Sequence, residues 1–135
     1  MAKGPLISPI AVQTAFITLA SEELPALVEF YQGLLNQVPQ SYAPGRYAEF
    51  ALPGLTLALF KPSSGHKPEF RGSAGSMSLC LEVGDLAGAI ATLTQLGHPP
   101  PGNVIHASHG QEIYAYDPAG NRLILHQAPS TSPSD

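Results

Sequence analysis

Charged residues and cysteine are both scarce in this chain of 135 residues. Only 12% of the residues are Asp, Glu, Lys or Arg, and the formal net charge is −4 without any cluster of basic residues. Nucleic acids and anionic membranes bind cationic surfaces, so we expect neither as a partner. The single cysteine, Cys80, cannot form a disulfide within the chain, which suits a reducing compartment.

Long apolar runs are missing as well. The apolar stretch near the start is short and is broken by Pro9, unlike a secretory signal. No segment approaches the roughly 20 apolar residues that a membrane helix needs. Together with the lone cysteine, this pattern predicts a cytoplasmic location. Hydrophobic residues still make up 44% of the chain, and its length fits one domain over residues 1–135.

The first half of the chain reads as a strand, a helix and a hairpin. β-branched and aromatic residues over 14–20 predict a strand, and Ser21 is the expected N-cap of the helix that follows. Leucine, valine and tyrosine then recur at helical spacing. After a loop, two apolar runs separated by Pro53-Gly54 predict a hairpin over 47–60.

The same order returns in the second half. A segment rich in proline, glycine and serine, 61–75, predicts a linker. A strand over 76–83 follows, and then a helix with Asp85 as its N-cap and Gly97 after its end. The last predicted elements are a short strand at 104–107 and a hairpin with strands at 111–116 and 122–126.

A repeat of this length indicates a duplicated supersecondary unit. We therefore predict an α+β fold of two β-α-β-β-β modules, which form a curved mixed sheet around a cleft with the helices outside. The first module covers 14–60 and the second covers 76–127, joined by the linker 61–75. The low-complexity tail, 128–135, is expected to be flexible.

Three short motifs in this order resemble the vicinal oxygen chelate family, which includes glyoxalases, bleomycin resistance proteins and dioxygenases. Phe30-Tyr31 followed by Leu34-Leu35 is similar to the F-Y-x-x-x-L-G motif, although Asn36 stands where that motif has glycine. The segment 81–85, LEVGD, resembles the F-x-V-x-D junction, and 117–121, DPAGN, resembles the D-P-D-G-N turn. The resemblance implies a homodimer in which a module of one chain commonly completes a module of the other.

Alternation along the strands predicts which side chains line the cleft, because successive residues point to opposite faces of a sheet. Leucines such as Leu57, Leu59, Leu123 and Leu125 are expected to face the helices. The opposite set is predicted to face the cleft and a small-molecule ligand: Phe16, Thr18, Ala58, Phe60, Ser78, Cys80, Glu82, Arg122, Ile124 and His126. His109 and Tyr114, near the start of the last hairpin, are further candidates for its lining.

Metal-dependent members of the resembling family hold a divalent ion with one His, Glu or Gln from each of four strands. By the motifs, the matching positions here are Phe16, Ala58, Ser78 and Ile124. Three of them have no donor atom, and a neutral serine hydroxyl is a poor ligand for Zn²⁺, Ni²⁺ or Fe²⁺. We therefore predict no metal at these positions and no other cofactor.

Other polar residues leave several alternatives open. His106, His109 and Glu112 are spaced three apart, but in a loop that leads into a strand such spacing alternates faces, so ordinary loop residues are favoured over a metal site. Glu82, Arg122 and His126 are predicted to point towards the cleft. They either lie solvated at the rim of the sheet or pair as a structural ion pair, or they act on a ligand. In the last case His126 supplies an acid, base or hydrogen-bond donor. Arg122 would then bind an anionic group.

Three functions follow from this pattern. The leading hypothesis is a binding module without a metal, whose apolar cleft captures a small molecule. The alternative is a divergent metal-dependent lyase, isomerase or dioxygenase of the same family. The third is a structural or regulatory protein whose cleft is closed by its own side chains.

Overall fold

The structure is a computed structural model that describes residues 8–72 and 75–130, in which two helices and eight strands form an α+β fold. The predicted fold class is confirmed, and each module has the order β-α-β-β-β. The elements are β1 (Ile17–Ala20), α1 (Leu24–Leu35), β2 (Ser41–Ala43), β3 (Tyr47–Leu52), β4 (Leu55–Phe60), β5 (Leu79–Glu82), α2 (Leu86–Gln95), β6 (Ile105–Ala107), β7 (Gly110–Tyr116) and β8 (Arg122–Gln127). Within these described residues, no helix has the length and apolar character to span a membrane.

The eight strands form two mixed sheets of four with the same topology. The first sheet has the order β1-β4-β3-β2, and the second has the order β5-β8-β7-β6. In each, the strand before the helix pairs in parallel with the last strand of its module, and the other pairs are antiparallel. A short 3₁₀ helix, Lys67–Phe70, lies in the predicted linker between the modules. Residues 73–74 of that linker and 131–135 of the predicted tail lie outside the described residues.

The hydrophobic core extends through both modules and packs one face of each sheet against the helices. Leu57 and Leu59 of β4 are fully buried, as are Leu123 and Leu125 of β8, which agrees with the predicted alternation. The two helices contribute another group of buried core residues: Leu24, Leu27, Val28, Phe30, Tyr31, Leu86 and Leu93. The opposite faces of the sheets are therefore left for a site.

One of the two predicted helix N-caps is found in the structure and the other is displaced. Asp85 caps α2 as predicted, because its carboxylate accepts a hydrogen bond from the Gly88 amide at 3.0 Å. The N-cap of the first helix is Glu23 instead of the predicted Ser21, because the Leu27 amide donates to the Glu23 carbonyl. Ser21 Oγ accepts instead from the Glu23 amide, just ahead of the helix.

The turn between β7 and β8 joins the two modules. Asp117 in this turn accepts hydrogen bonds from the amides of Ala119 and Asn121 and from the Asn121 side chain. The hydroxyl of Tyr31, on α1 of the first module, donates to the same carboxylate at 2.7 Å. Asp117 is buried, so the predicted turn also anchors a long-range contact between the modules.

Candidate functional site

A pocket of about 490 Å³ lies where β1 of the first sheet comes close to the start of β5 of the second. We call it the junction pocket. It brings together four of the predicted site residues: Phe16, Thr18, Ser78 and Arg122. Phe70 and Met77 add apolar surface, and both side chains are exposed. A cavity of this size with apolar walls and a few polar groups is the usual form of a small-molecule site.

Arg122 is the cation that the structure orients at this pocket. Its Nε donates to Ser78 Oγ at 2.7 Å, and its Nη2 donates to the backbone carbonyls of Gly75 and Met77. These bonds hold the planar guanidinium at the pocket wall, where such a group can bind a carboxylate or phosphate. Arg122 does not pair with Glu82, because the two belong to different rows of the sheet.

The linker supplies another wall of the pocket. The ring of Phe70 packs edge-on against Phe60, with centroids 5.0 Å apart, and the Lys67 ammonium lies 3.3 Å from the Glu22 carboxylate. The sequence indicated a linker here but did not identify Phe70 as a site residue, and it also missed Met77, which lies after the linker and just before β5. Linker residues follow no strand alternation, so their position depends on tertiary packing.

The four positions that would hold the family's usual metal do not fit one. Ala58 is fully buried and Phe16 is half exposed, and neither carries a donor atom. Ile124 has none either, and the Ser78 hydroxyl accepts a hydrogen bond from Arg122. Divalent transition metals need imidazole, thiolate or carboxylate ligands, so these side chains cannot form that site.

The second sheet carries cross-strand rows on the face opposite the core. The middle row contains Cys80, Ile124 and Tyr114, which are register partners across β5, β8 and β7. Cys80 is exposed, although a buried apolar role is usual for a free cysteine, and Tyr114 is 41% exposed. This face is therefore open within the described part of the chain.

The end row of the same face holds a polar group that we call the histidine cluster: Glu82, His109, Glu112 and His126. Glu82 and Glu112 are the register partners of His126 on the two neighbouring strands. The His126 Nδ1 atom lies 2.7 Å from Glu82 Oε1, and its Nε2 atom lies 3.0 Å from His109 Nδ1. The two imidazole rings stack with centroids 5.1 Å apart.

The protonation of His126 follows from these neighbours. Its hydrogen bond with the Glu82 carboxylate raises its pKa above the ordinary value, and the negative charges of Glu82 and Glu112 act in the same direction. Partial desolvation opposes this shift but does not cancel it. The sequence allowed a structural ion pair among Glu82, Arg122 and His126. The structure has this pair between Glu82 and His126, without Arg122.

A close backbone approach places His109 over the cluster. Gly110 opens β7 with φ 128, and a Cβ atom there would lie 2.1 Å from the carbonyl oxygen of Gln127. Only glycine fits this conformation and this contact. The β6–β7 turn can therefore fold against the end of β8, which brings the His109 ring onto His126.

Several predicted residues do not take part in either group. Ala58 is the register partner of Thr18 on β1 and of Glu49 on β3, and it is fully buried. The ring of Phe60 is in contact with the ring of Phe70 and does not line the junction pocket itself. His106, on β6, is the register partner of Gln111 on β7 and lies outside the histidine cluster.

Glu112 was named in the sequence but not selected as a site residue. The signal was present, because the DPAGN turn pairs Tyr116 with Arg122, and counting back along both strands places Glu112 opposite His126.

Comparisons with known proteins agree with this architecture. A crystal structure of a glyoxalase/bleomycin resistance protein from Catenulispora acidiphila matches with a TM-score of 0.65 and 20% identity, over 85% of this chain and 97% of that one. The fosfomycin resistance protein FosX from Listeria monocytogenes matches with a TM-score of 0.70 and 17% identity, over 89% and 96% of the two chains. Lactoylglutathione lyase from Agrobacterium tumefaciens matches with a TM-score of 0.63 and 20% identity, over 86% and 94%.

At these identities the similar structures show a shared fold and no shared activity. Sequence comparison with curated proteins finds no match. A family model, however, matches residues 13–125, which is nearly the whole chain, and its description is the Glyoxalase/Bleomycin resistance protein/Dioxygenase superfamily. With the repeated β-α-β-β-β fold, this match shows that the chain belongs to the glyoxalase/bleomycin resistance protein/dioxygenase superfamily.

Proposed function

We propose that this protein is a small-molecule binding module whose junction pocket works without a metal at the four positions the family commonly uses. The observation that carries the proposal is the pocket itself, about 490 Å³, with Phe16 and Phe70 on its walls and Arg122 held at its edge. An aromatic or aliphatic ligand would bury its apolar part against these rings. An anionic group on the ligand would pair with the guanidinium.

The exposure of the pocket supports binding over a closed, purely structural cleft. Phe16 is 51% exposed and Phe70 is 49% exposed, so both rings have apolar surface to cover. The names of the similar structures include a fosfomycin resistance protein and a lyase, and they do not agree on one ligand. The proposal is therefore limited to a ligand class: small, mostly apolar, with one carboxylate or phosphate.

The test is a screen of aromatic carboxylates and their neutral carboxamides by NMR, with excess chelator present. We expect amide shifts around Thr18, Phe70 and Asn121, tighter binding of the carboxylates than of the carboxamides, and unchanged binding with or without chelator. Phe70→Ala should weaken the best fragment about tenfold, because the lost ring surface corresponds to roughly 1.5 kcal/mol or more.

The matched control is Val38→Ala, which removes an exposed apolar side chain outside the junction pocket. It should leave the fragment affinity unchanged. The proposal fails if no fragment binds, if binding needs a metal, or if Phe70→Ala binds as tightly as Val38→Ala.

One observation favours the alternative, a divergent metal-dependent lyase, isomerase or dioxygenase. His109, Glu112 and His126 each offer a ligand atom, and these three atoms lie within 4.8 Å of one another. Turnover of a 2-oxoaldehyde thiol adduct or of a catechol, dependent on added Fe²⁺ or Zn²⁺ and absent in His126→Ala, would replace the binding-module proposal with this one.

A further inference from the structure

The histidine cluster has the composition and arrangement of a metal site. We propose that His109, Glu112 and His126 bind one divalent transition-metal ion, and that Glu82 orients His126 for it. This site is separate from the junction pocket and from the four positions that the family commonly uses. It does not depend on the proposed binding function.

The ligand chemistry suits ions such as Zn²⁺, Co²⁺ or Fe²⁺. These ions take imidazole nitrogen and carboxylate oxygen together, at about 2.0–2.2 Å. His109 Nδ1 and His126 Nε2 face each other at 3.0 Å, close to the spacing of two atoms bound to the same ion. In residues 8–72 and 75–130, this is the only set of three or more His, Cys, Asp or Glu residues that could hold an ion.

The backbone positions two of the ligands rigidly. Glu112 and His126 are direct partners in the antiparallel ladder of β7 and β8, so their Cβ atoms lie about 5 Å apart on one face. His109 comes from the turn that Gly110 lets fold onto β8. Two ligands on strands and one on an adjoining turn can close on an ion with side-chain rotation alone.

Glu82 supplies the second observation that points to a metal. Its Oε1 atom lies 2.7 Å from His126 Nδ1, and its Oε2 atom accepts from the Ala128 amide at 3.0 Å. A metal-binding histidine commonly donates its other ring N–H to a carboxylate, which orients the ring and makes the ligand nitrogen more basic. Glu82 is therefore a positioning residue that acts through His126.

The site lies entirely within the second module. His126 is four residues along β8 from Arg122, a separation of about 13 Å at the rise of a strand. Three protein ligands leave at least one coordination position, and His109 is exposed, so water or an external anion can reach the ion.

The experiment is calorimetric titration of the chelator-treated full chain with Zn²⁺. We expect one Zn²⁺ per chain. His126→Ala and Glu112→Gln should each weaken binding by about 100-fold or more, and Glu82→Gln should weaken it by about tenfold, since an orienting carboxylate contributes less than a ligand. His106→Ala is the control, because His106 lies on the neighbouring strand outside the cluster. It should stay within about threefold of the original affinity.

A variant could lose Zn²⁺ binding because it fails to fold. NMR spectra of the histidine rings in the unmutated chain test the same site without a substitution. Substoichiometric Zn²⁺ should shift the ring nitrogen resonances of His109 and His126 before those of His106. The proposal is overturned if Zn²⁺ does not bind, if His106→Ala and His126→Ala bind it equally, or if the first rings to shift belong to other histidines.

Discussion

The hydroxyl of Tyr31 donates a hydrogen bond to the buried carboxylate of Asp117, 86 residues later in the chain. The bond joins the first helix to the last turn and therefore couples the two modules. Tyr31→Phe should lower the free energy of unfolding by about 1.5–3 kcal/mol, because a buried bond to a charged group is lost. Urea unfolding followed by circular dichroism measures this change.

A second tyrosine provides the control. The Tyr47 hydroxyl donates to Glu49 on β3, and both side chains are only partly buried, unlike the buried pair of Tyr31 and Asp117. Tyr47→Phe should change the free energy of unfolding by less than about 1 kcal/mol. Equal losses in the two variants would mean that the contact between the modules adds no stability.

Asn36 ends the first helix in the left-handed conformation, with φ 51 and ψ 47. It occupies the position where the family motif has glycine, and asparagine tolerates this conformation better than other residues with a side chain. Asn36→Gly should therefore raise the thermal midpoint or leave it unchanged. Asn36→Ala should destabilise the fold by about 1 kcal/mol. A stabilised alanine variant would contradict the assigned helix end.

Gly110→Ala should be strongly destabilising, because the new Cβ atom would meet the Gln127 carbonyl oxygen. Gly45→Ala is a matched control, since Gly45 also has a positive φ, of 77, but has open space around it. We expect about 1–2 kcal/mol for Gly45→Ala from backbone strain alone. Gly110→Ala should cost about 3 kcal/mol or more. Similar costs would show that the close approach of β7 and β8 is relaxed in solution.

The pKa of His126 in the metal-free protein should exceed its ordinary value of 6.5, chiefly because of its hydrogen bond with Glu82. NMR titration should show a large fall in this pKa in Glu82→Gln and a smaller fall in Glu112→Gln, whose charge is a lesser cause. Since the folded pKa is raised, the proton stabilises the fold below the unfolded pKa. That stability is lost as the pH rises through the folded value.

The matching stability experiment follows unfolding across this pH range. The unmutated chain should lose more stability on deprotonation of His126 than Glu82→Gln does. An unchanged His126 pKa in Glu82→Gln would remove the pair as its cause.

We expect the protein to form a homodimer, because the open faces of its sheets carry apolar side chains that a second copy would cover. Tyr114 and Tyr116, which lie outside the junction pocket, are 41% and 38% exposed in the single chain. Light scattering should report twice the chain mass of 14.1 kDa. A concentration-independent monomer would contradict this expectation.

Much of the fold was predictable because it rests on short-range rules. The hairpin at Pro53-Gly54 has the predicted strand bounds, and Asp85 caps the second helix as expected. The leucines on β4 and β8 are buried as alternation requires. The linker was less predictable, since its 3₁₀ helix and the packing of Phe70 on Phe60 depend on surfaces distant in sequence.

The histidine cluster also has one part that the sequence predicts and one part that it does not. The pairing of Glu112 with His126 follows from the length of the turn between their strands and could be counted in the sequence. The sequence offered an ion pair among Glu82, Arg122 and His126 as one alternative. It could not say that Glu82 and His126 would be the two that meet, because the register of parallel β5 and β8 depends on how α2 packs on the sheet.

The sequence by itself determined the repeated modules, the leucines of β4 and β8 that face the core, and the lack of metal donors at Phe16, Ala58 and Ile124. Those features depend on residue type, alternation and turns, which act over a few positions. Only the tertiary structure decided that Tyr31 meets Asp117 and that His109 stacks on His126. Such contacts join segments that are far apart in the sequence, so local rules cannot predict them. They form because the shared core packs both modules together and because the backbone approaches closely at Gly110.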